Sequence, residues 1–355
     1  MSCFFATPSN YDISASRATY TSGLSYRFFL FALFEIALYT SRDSIDNDEH
    51  EYLQKESSMP KRLSFKCLIF VALGLVTICC VQPVLAQGPS KVFTFTAIPD
   101  QDTTRLQQRF GKVAEYLSGT LGIPVNYVPV KSYSASVAAF KNNEVQLAWF
   151  GGLSGVQARF SAPGARAIAQ GEEDPNFVTY FIAHSSAGLK PSETFPHGIE
   201  GMTFTFGSKG STSGRLMPEF FIRSALGKAP RKVFKRVGYS GDHSKTLALV
   251  QSGSYQVGAL NYKVWENEVK AGKVAESKVQ VIWRTPGYPD YNWTIRGDVD
   301  QTWGDGFGDK VQQVLLNMND PELLASFPRK RFIQADNSMY QPILDTAREI
   351  GILQK

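Results

Sequence analysis

From Lys91 onward the chain alternates short apolar runs with amphipathic segments, and this order limits the folds open to it. VFTFTAI reads as a buried strand, TTRLQQRFGKVAEYLSGTLG as an amphipathic helix ended by Gly122, and IPVNYVPV as a second strand. SYSASVAAFKNNE, VQLAWFG and GLSGVQARFSA continue the order as helix, strand and helix, and ARAIAQ and VTYFIAHS follow on either side of a polar EEDPN turn. Strands that alternate with helices imply a parallel sheet covered by helices.

A second set of similar elements follows. MTFTFGS, KVFKRVGYS and YQVGALN are strands, with RLMPEFFIRSAL and SKTLALVQSGS as helices between them. The pattern predicts an α/β protein of two lobes with a ligand cleft between them. We place the first lobe at 87–183 and 286–355, because VQVIWRTPGYPDYNWTIRGDVD and the helices after it return there, and the second at 184–285.

The segment before the first strand has a different character. MPKRLSFKCLIFVALGLVTICCVQPVLAQ, from Met59, has a basic start at Lys61, Arg62 and Lys66, an apolar run from Cys67 to Val81, and a small-residue exit at Val84-Leu85-Ala86. This is the pattern of a secretory signal peptide over 59–86, and Pro83 leaves the apolar run short of the roughly 20 residues that a span needs. Met59 then reads as the native start and residues 1–58 as an extension foreign to the mature protein, which is expected in the periplasm. All four cysteines, Cys3, Cys67, Cys79 and Cys80, precede the folded part, so thiol chemistry is excluded from it. The 37 Lys and Arg against 32 Asp and Glu suit an anionic ligand but are too diffuse for nucleic acid. No metal-ligand spacing or cofactor motif occurs.

Two strand-to-helix junctions carry the candidate chemistry. In GSKGSTSGRLMPEFF, Pro218 fits without strain only in the first turn of a helix, so the helix starts near Gly214 or bends, and Ser211, Thr212 and Ser213 lie at its tip. A helix start presents free N–H groups and partial positive charge, and hydroxyls add neutral donors, a combination suited to an oxyanion. Capping accounts for only one of the three hydroxyls. In AWFGGLSG, Gly152 and Ser154 form a second candidate tip. The first segment is neither a Walker A loop, since Lys209 precedes Gly210, nor a nucleophile elbow, since GSTSG centres on Thr212.

AIPDQD, SYSASVAAFKNNEVQLAWFGG, FGSKGSTSGRLMP, GYSGDHSKTLALVQSGSYQVGALN and YPDYNW, in this order, resemble the periplasmic binding proteins of phosphate, phosphite and phosphonate ABC importers. In detail they are most similar to a branch described as selenate-binding. The resemblance implies a two-lobed type II binding fold, a non-enzymatic monomer, no cofactor, and delivery of a small oxyanion to membrane permease subunits. It further implies ligand contacts from Tyr133, Tyr180, Ser211, Thr212, Ser213, His243 and Asp290. Asp290 favours a ligand carrying a proton or an amine, because a carboxylate repels a bare anion. Asn261 stands where aminoalkylphosphonate binders have a further acid, which favours a compact ligand. Two rival readings are a sensor module of the same fold and a hydrolase using Ser213, His243 and Asp290.

Overall fold

The computed structural model describes residues 91–353; the proposed extension at 1–58 and signal peptide at 59–86 lie outside the described residues. Eleven strands among these residues form two sheets. The first holds β1 (Phe93–Ala97), β2 (Val125–Tyr127), β3 (Leu147–Phe150), β4 (Arg166–Gly171), β10 (Asn292–Ile295) and β11 (Phe332–Gln334), in the order β11-β4-β10-β3-β1-β2. The second holds β5 (Thr179–His184), β6 (Thr203–Phe206), β7 (Arg236–Tyr239), β8 (Val257–Asn261) and β9 (Val279–Arg284), in the order β7-β6-β8-β5-β9. The principal helices are α1 (Thr103–Leu121), α2 (Tyr133–Lys141), α3 (Gly152–Ser161), α4 (Met217–Leu226), α5 (His243–Gln251), α6 (Tyr262–Lys270), α7 (Phe307–Leu316) and α8 (Gln341–Glu349).

Local chemistry sets these elements. Asp102 caps α1 by accepting from the Arg105 amide at 3.1 Å, and Gly122 ends it in the left-handed region, at φ 74°. Between these caps Leu106, Phe110, Val113, Leu117 and Leu121 recur at helical spacing and are all buried against the first sheet. β3 is buried along its whole length, as a strand covered on both faces has to be.

Neither sheet is purely parallel. β1 runs parallel to β2 and β3, and β6 to β7 and β8, as the alternation predicts. The strands that carry the chain between lobes run the other way: β10 is antiparallel to β3 and β4, and β5 to β8 and β9. β5 pairs fully within the second sheet, which corrects the boundary at 183; the first crossover precedes Thr179. Because an antiparallel strand begins at the edge where its parallel neighbours end, the starts of β5 and β10 meet the carboxyl ends of β8 and β3, with Thr179 opposite Asn261 and Asn292 opposite Phe150. That edge is where α/β sheets bind ligands.

The two crossovers lie side by side. Phe177 and Tyr288 exchange backbone hydrogen bonds of 2.9 and 3.0 Å, forming a two-chain hinge. Beneath it, Arg329 grips Asp174 with two parallel bonds, Nη2 to Oδ1 at 2.7 Å and Nε to Oδ2 at 2.9 Å, and both side chains are fully enclosed. The Gly171 amide donates to the same carboxylate at 2.7 Å, and a Cβ at Gly171 would sit 2.5 Å from Arg329, so only glycine admits the pair. Removing one partner strands a buried charge. Arg329→Leu is expected to cost about 3–5 kcal/mol in urea unfolding, with much of the loss recovered in the Asp174→Asn, Arg329→Leu double variant.

Candidate functional site

Three helix starts converge on one place in the cleft. Ser132 caps α2 through the Ala135 amide at 3.1 Å, leaving Tyr133 as its first residue. Asp242 caps α5 through the Lys245 amide at 2.7 Å, leaving His243 first. Ser211 accepts from the Gly214 amide at 2.9 Å and begins a wide turn, Thr212–Leu216, in which Leu216 and Met217 bond back to the carbonyls of Ser211 and Thr212. This is a π-type turn, and regular α4 starts only at Met217, placing Pro218 in its first turn. The predicted start near Gly214 is thus resolved as a π turn followed by the helix.

The side chains so placed are enclosed: Tyr133 is 2% exposed, Ser213 1%, His243 0% and Asp290 1%, so the cleft is shut around them. Each keeps one polar atom without a partner, namely Tyr133 Oη, Ser213 Oγ, His243 Nε2 and Asp290 Oδ2. Buried polar atoms are rarely left unpaired, and four gathered in one place make it the candidate functional site. His243 Nδ1 accepts from the Asn261 amide at 3.2 Å, which puts the imidazole proton on Nε2. Burial pulls its pKa down to about 3, so this donor is neutral. Burial also holds the Tyr133 hydroxyl protonated, with its pKa well above the usual value.

Asp290 supplies the only carboxylate oxygen of the four atoms. Its Oδ1 accepts from the Gly152 amide at 2.9 Å, and burial raises its pKa to about 7 against the opposing pull of that N–H and of the Thr212 hydroxyl. Thr212 Oγ1 in turn accepts from the Leu153 amide at 3.0 Å, tying the second lobe to the tip of α3. Other bonds also cross the cleft: His243 N to Asp100 O at 3.0 Å, Asn261 Nδ2 to Tyr291 Oη at 2.9 Å, and the Arg105–Glu268 pair at 3.0 Å between α1 and α6. Tyr291 donates onward to Asp100, whose pKa burial raises to about 6.

Three of the residues expected to face the ligand do otherwise. Tyr180 follows Thr179 on β5, and alternation turns it to the opposite face, where it packs 5.9 Å from Tyr262 beside Trp265. Thr179 is the inward residue: it donates to the Ser213 carbonyl at 2.8 Å and meets the Tyr288 hydroxyl at 2.6 Å. Ser154 spends its hydroxyl on the Gly151 carbonyl at 3.1 Å, and the Gly152 N–H is taken by Asp290. Tyr288 was legible only as a neighbour of Asp290 in GYPDYN. The hydrolase arrangement is also missing, because His243 Nδ1 receives an amide proton instead of donating to a carboxylate, and Asp290 faces Gly152. Among the described residues no three His, Cys, Asp or Glu side chains gather as a metal site.

The model of a family described as "ABC transporter, phosphonate, periplasmic substrate-binding protein" matches residues 95–340. The chain belongs to this family. It is 39% identical over 268 residues, 74% of this chain and 90% of the relative, to the probable ABC transporter phosphite binding protein PhnD1 of Prochlorococcus marinus. It is 23% identical over 67% of its length, and 69% of the relative's, to the phosphonates-binding periplasmic protein of Escherichia coli. The structure of the Prochlorococcus protein in complex with methylphosphonate superposes with a TM-score of 0.71, covering 74% of this chain and 99% of that one. A phosphonate transporter component from Pseudomonas aeruginosa, 20% identical, shares the fold with a TM-score of 0.64 over 72% of this chain and 85% of its own. None of these relatives is described as selenate-binding. The family consists of substrate-binding components of importers, which act outside the cytoplasm.

With no carboxylate facing His243, its imidazole is expected to stay neutral throughout the physiological range. Long-range ¹H–¹⁵N spectra should show an Nε2–H tautomer whose shifts do not move between about pH 5 and 8, where an ordinary histidine titrates.

Proposed function

We propose that this protein is the solute receptor of an ABC importer for a compact, singly protonated tetrahedral oxyanion, a hydrogen phosphite or methylphosphonate monoanion. The set of four unpartnered atoms, three neutral donors and one acceptor, carries this reading. Tyr133, Ser213 and His243 donate to anionic oxygens, Thr212 and Ser211 hold the tip that presents them, and Asp290 Oδ2 accepts from the ligand's own P–OH. The phosphite-binding relative at 39% identity and the methylphosphonate complex of the same protein support this ligand class. Asn261, which caps α6 through the Lys263 and Val264 amides and reaches Tyr291, offers no countercharge for an aminoalkyl group.

Since the site is enclosed, ligand enters only when the lobes part at the 177/288 hinge, and the bound anion favours the shut form by bridging Tyr133 and Asp290 of one lobe to Ser213 and His243 of the other. The shut form is what the permease subunits would receive. The receptor acts as a monomer, exported by the segment 59–86.

One proton is shared between Asp290 and the ligand in the complex. Above the pKa values of both, binding has to take up a proton, so affinity for phosphite or methylphosphonate falls by up to about tenfold per pH unit. Calorimetry at about pH 8 and pH 9, both above the pKa of about 7 given to Asp290, should show this weakening. In Asp290→Asn the amide oxygen can keep the Gly152 bond while the NH₂ turns the acceptor into a donor. The fall in affinity between pH 8 and pH 9 should then disappear, and sulfate should bind at either pH. Wild-type affinity that does not fall between pH 8 and pH 9 would sink the shared-proton reading.

A further inference from the structure

Among the described residues, one ion pair joins the two lobes. Arg105 Nη1 of α1 meets Glu268 Oε1 of α6 at 3.0 Å, while every other ion pair joins residues of a single lobe. The pair lies in the lining of a groove of about 330 Å³ between α1, α5 and α6. None of the cleft residues that keep an unpartnered atom, Tyr133, Ser213, His243 and Asp290, borders that groove.

Each charge stands at the unfavourable end of its own helix. Arg105 is the third residue of α1, where the free N–H groups are already positive, and Glu268 is the third from the end of α6, where the free carbonyls are already negative. Within its own lobe each is a local cost, and what offsets it comes from across the cleft. The cost is larger for the acid, since Glu268 is 4% exposed whereas the Arg105 side chain is 27% exposed. Its own lobe gives Glu268 only distant partners, the Ser244 hydroxyl at 3.5 Å and the Nζ of the largely exposed Lys273 at 3.7 Å. Arg109, one turn along α1, adds positive charge near Glu268 from the same side as Arg105. When the lobes part, α1 leaves Glu268 and water replaces the guanidinium.

We propose that the Arg105–Glu268 pair is a latch that sets ligand affinity from outside the site, by stabilising the shut form of the cleft; this rests on the reading of that cleft as an oxyanion receptor. A contact made only in the shut form adds to the affinity of any ligand that requires closure, although it touches none of them. It does so by slowing release, because the encounter with the open form precedes the contact. Arg105 and Glu268 are thus positioning residues that act on the ligand through the lobes.

The test is methylphosphonate binding by the full protein, with affinity read by calorimetry and release by stopped-flow tryptophan fluorescence. Arg105→Gln should weaken binding about tenfold, since the shut form then buries an acid without its main countercharge. Glu268→Gln should weaken it only about threefold, because Arg105 stays partly in water. The double variant should match Glu268→Gln instead of summing the two losses, and Arg105→Lys should restore most of the affinity. In each case release should quicken while the association rate and the ligand-free thermal transition stay those of the parent, which general damage to α1 would not allow. Unchanged release in Arg105→Gln overturns the latch, as do losses that add in the double variant.

A ligand-free measurement separates the latch from the identity of the ligand. The His243 amide donates to Asp100 O and the Leu153 amide to Thr212 Oγ1, both across the cleft, so their hydrogen exchange reports opening. Both should exchange faster in Arg105→Gln than in the parent, while the amides of β5, paired on both sides within the second sheet, keep their rates. If the parent binds neither methylphosphonate nor phosphite, the ligand reading fails and this exchange alone decides the latch. Equal rates in parent and variant then overturn it.

Discussion

A carboxyl group buried where an anion is to bind is a constraint that the rest of the cleft has to satisfy. Asp290 is held at two points: its amide donates to the Asp174 carbonyl at 3.1 Å, and its Oδ1 receives the Gly152 amide at 2.9 Å. The first of these ties it to the Arg329–Asp174 pair beneath the hinge. Position and ligand chemistry thus meet in one side chain, and its free Oδ2 is tolerable only if a proton is shared there. The pKa near 7 is the electrostatic expression of that requirement.

The other unpartnered atoms balance this acid without adding charge. Arginine or lysine in the site would bind any oxyanion strongly and would neutralise Asp290, removing the acceptor on which the proposed preference for a protonated ligand rests. Neutral donors from a tyrosine, a serine and an uncharged histidine keep the preference intact. On the proposed reading, a ligand that brings no proton has to meet the protonated form of Asp290, so discrimination rests on the proton count in a dry site as much as on contacts. The chain's modest excess of positive charge has no part in this choice.

What the sequence revealed follows from range. Helix starts depend on a cap and the residues just after it, so Ser211–Ser213 could be read directly, whereas Tyr133 and His243 entered through the family resemblance; the alternation of elements gave the α/β class. Strand direction depends on partners distant in sequence, and nothing local in VTYFIAHS or NWTI says that these strands run against their neighbours. The same blindness misplaced the lobe boundary at 183. It also chose Tyr180 over Thr179, since one residue of register exchanges the two faces of a strand. Gly152 and Ser154 were read correctly as a helix tip, but only the fold reveals that Asp290 and Gly151 already occupy their polar groups.

Pro218 explains why the Ser211–Ser213 tip differs from the other two. Lacking an N–H, it cannot bond to the Gly214 carbonyl as an ordinary helix residue would. That carbonyl instead accepts from Gly207 at 2.8 Å, fastening the tip to the end of β6. The turn before it widens to the π pattern, and the Ser213 carbonyl is taken by Thr179 of the crossover strand. With both flanking carbonyls fixed from outside the helix, the Ser213 hydroxyl has no local capping duty and stays free. Gly214 is required in the same place, because a Cβ there would lie 3.0 Å from both the His243 ring and the Ser211 hydroxyl. The run of small hydroxyl residues is thus divided: Ser211 caps, Thr212 bridges the lobes, and Ser213 is the one the proposed function assigns to the ligand.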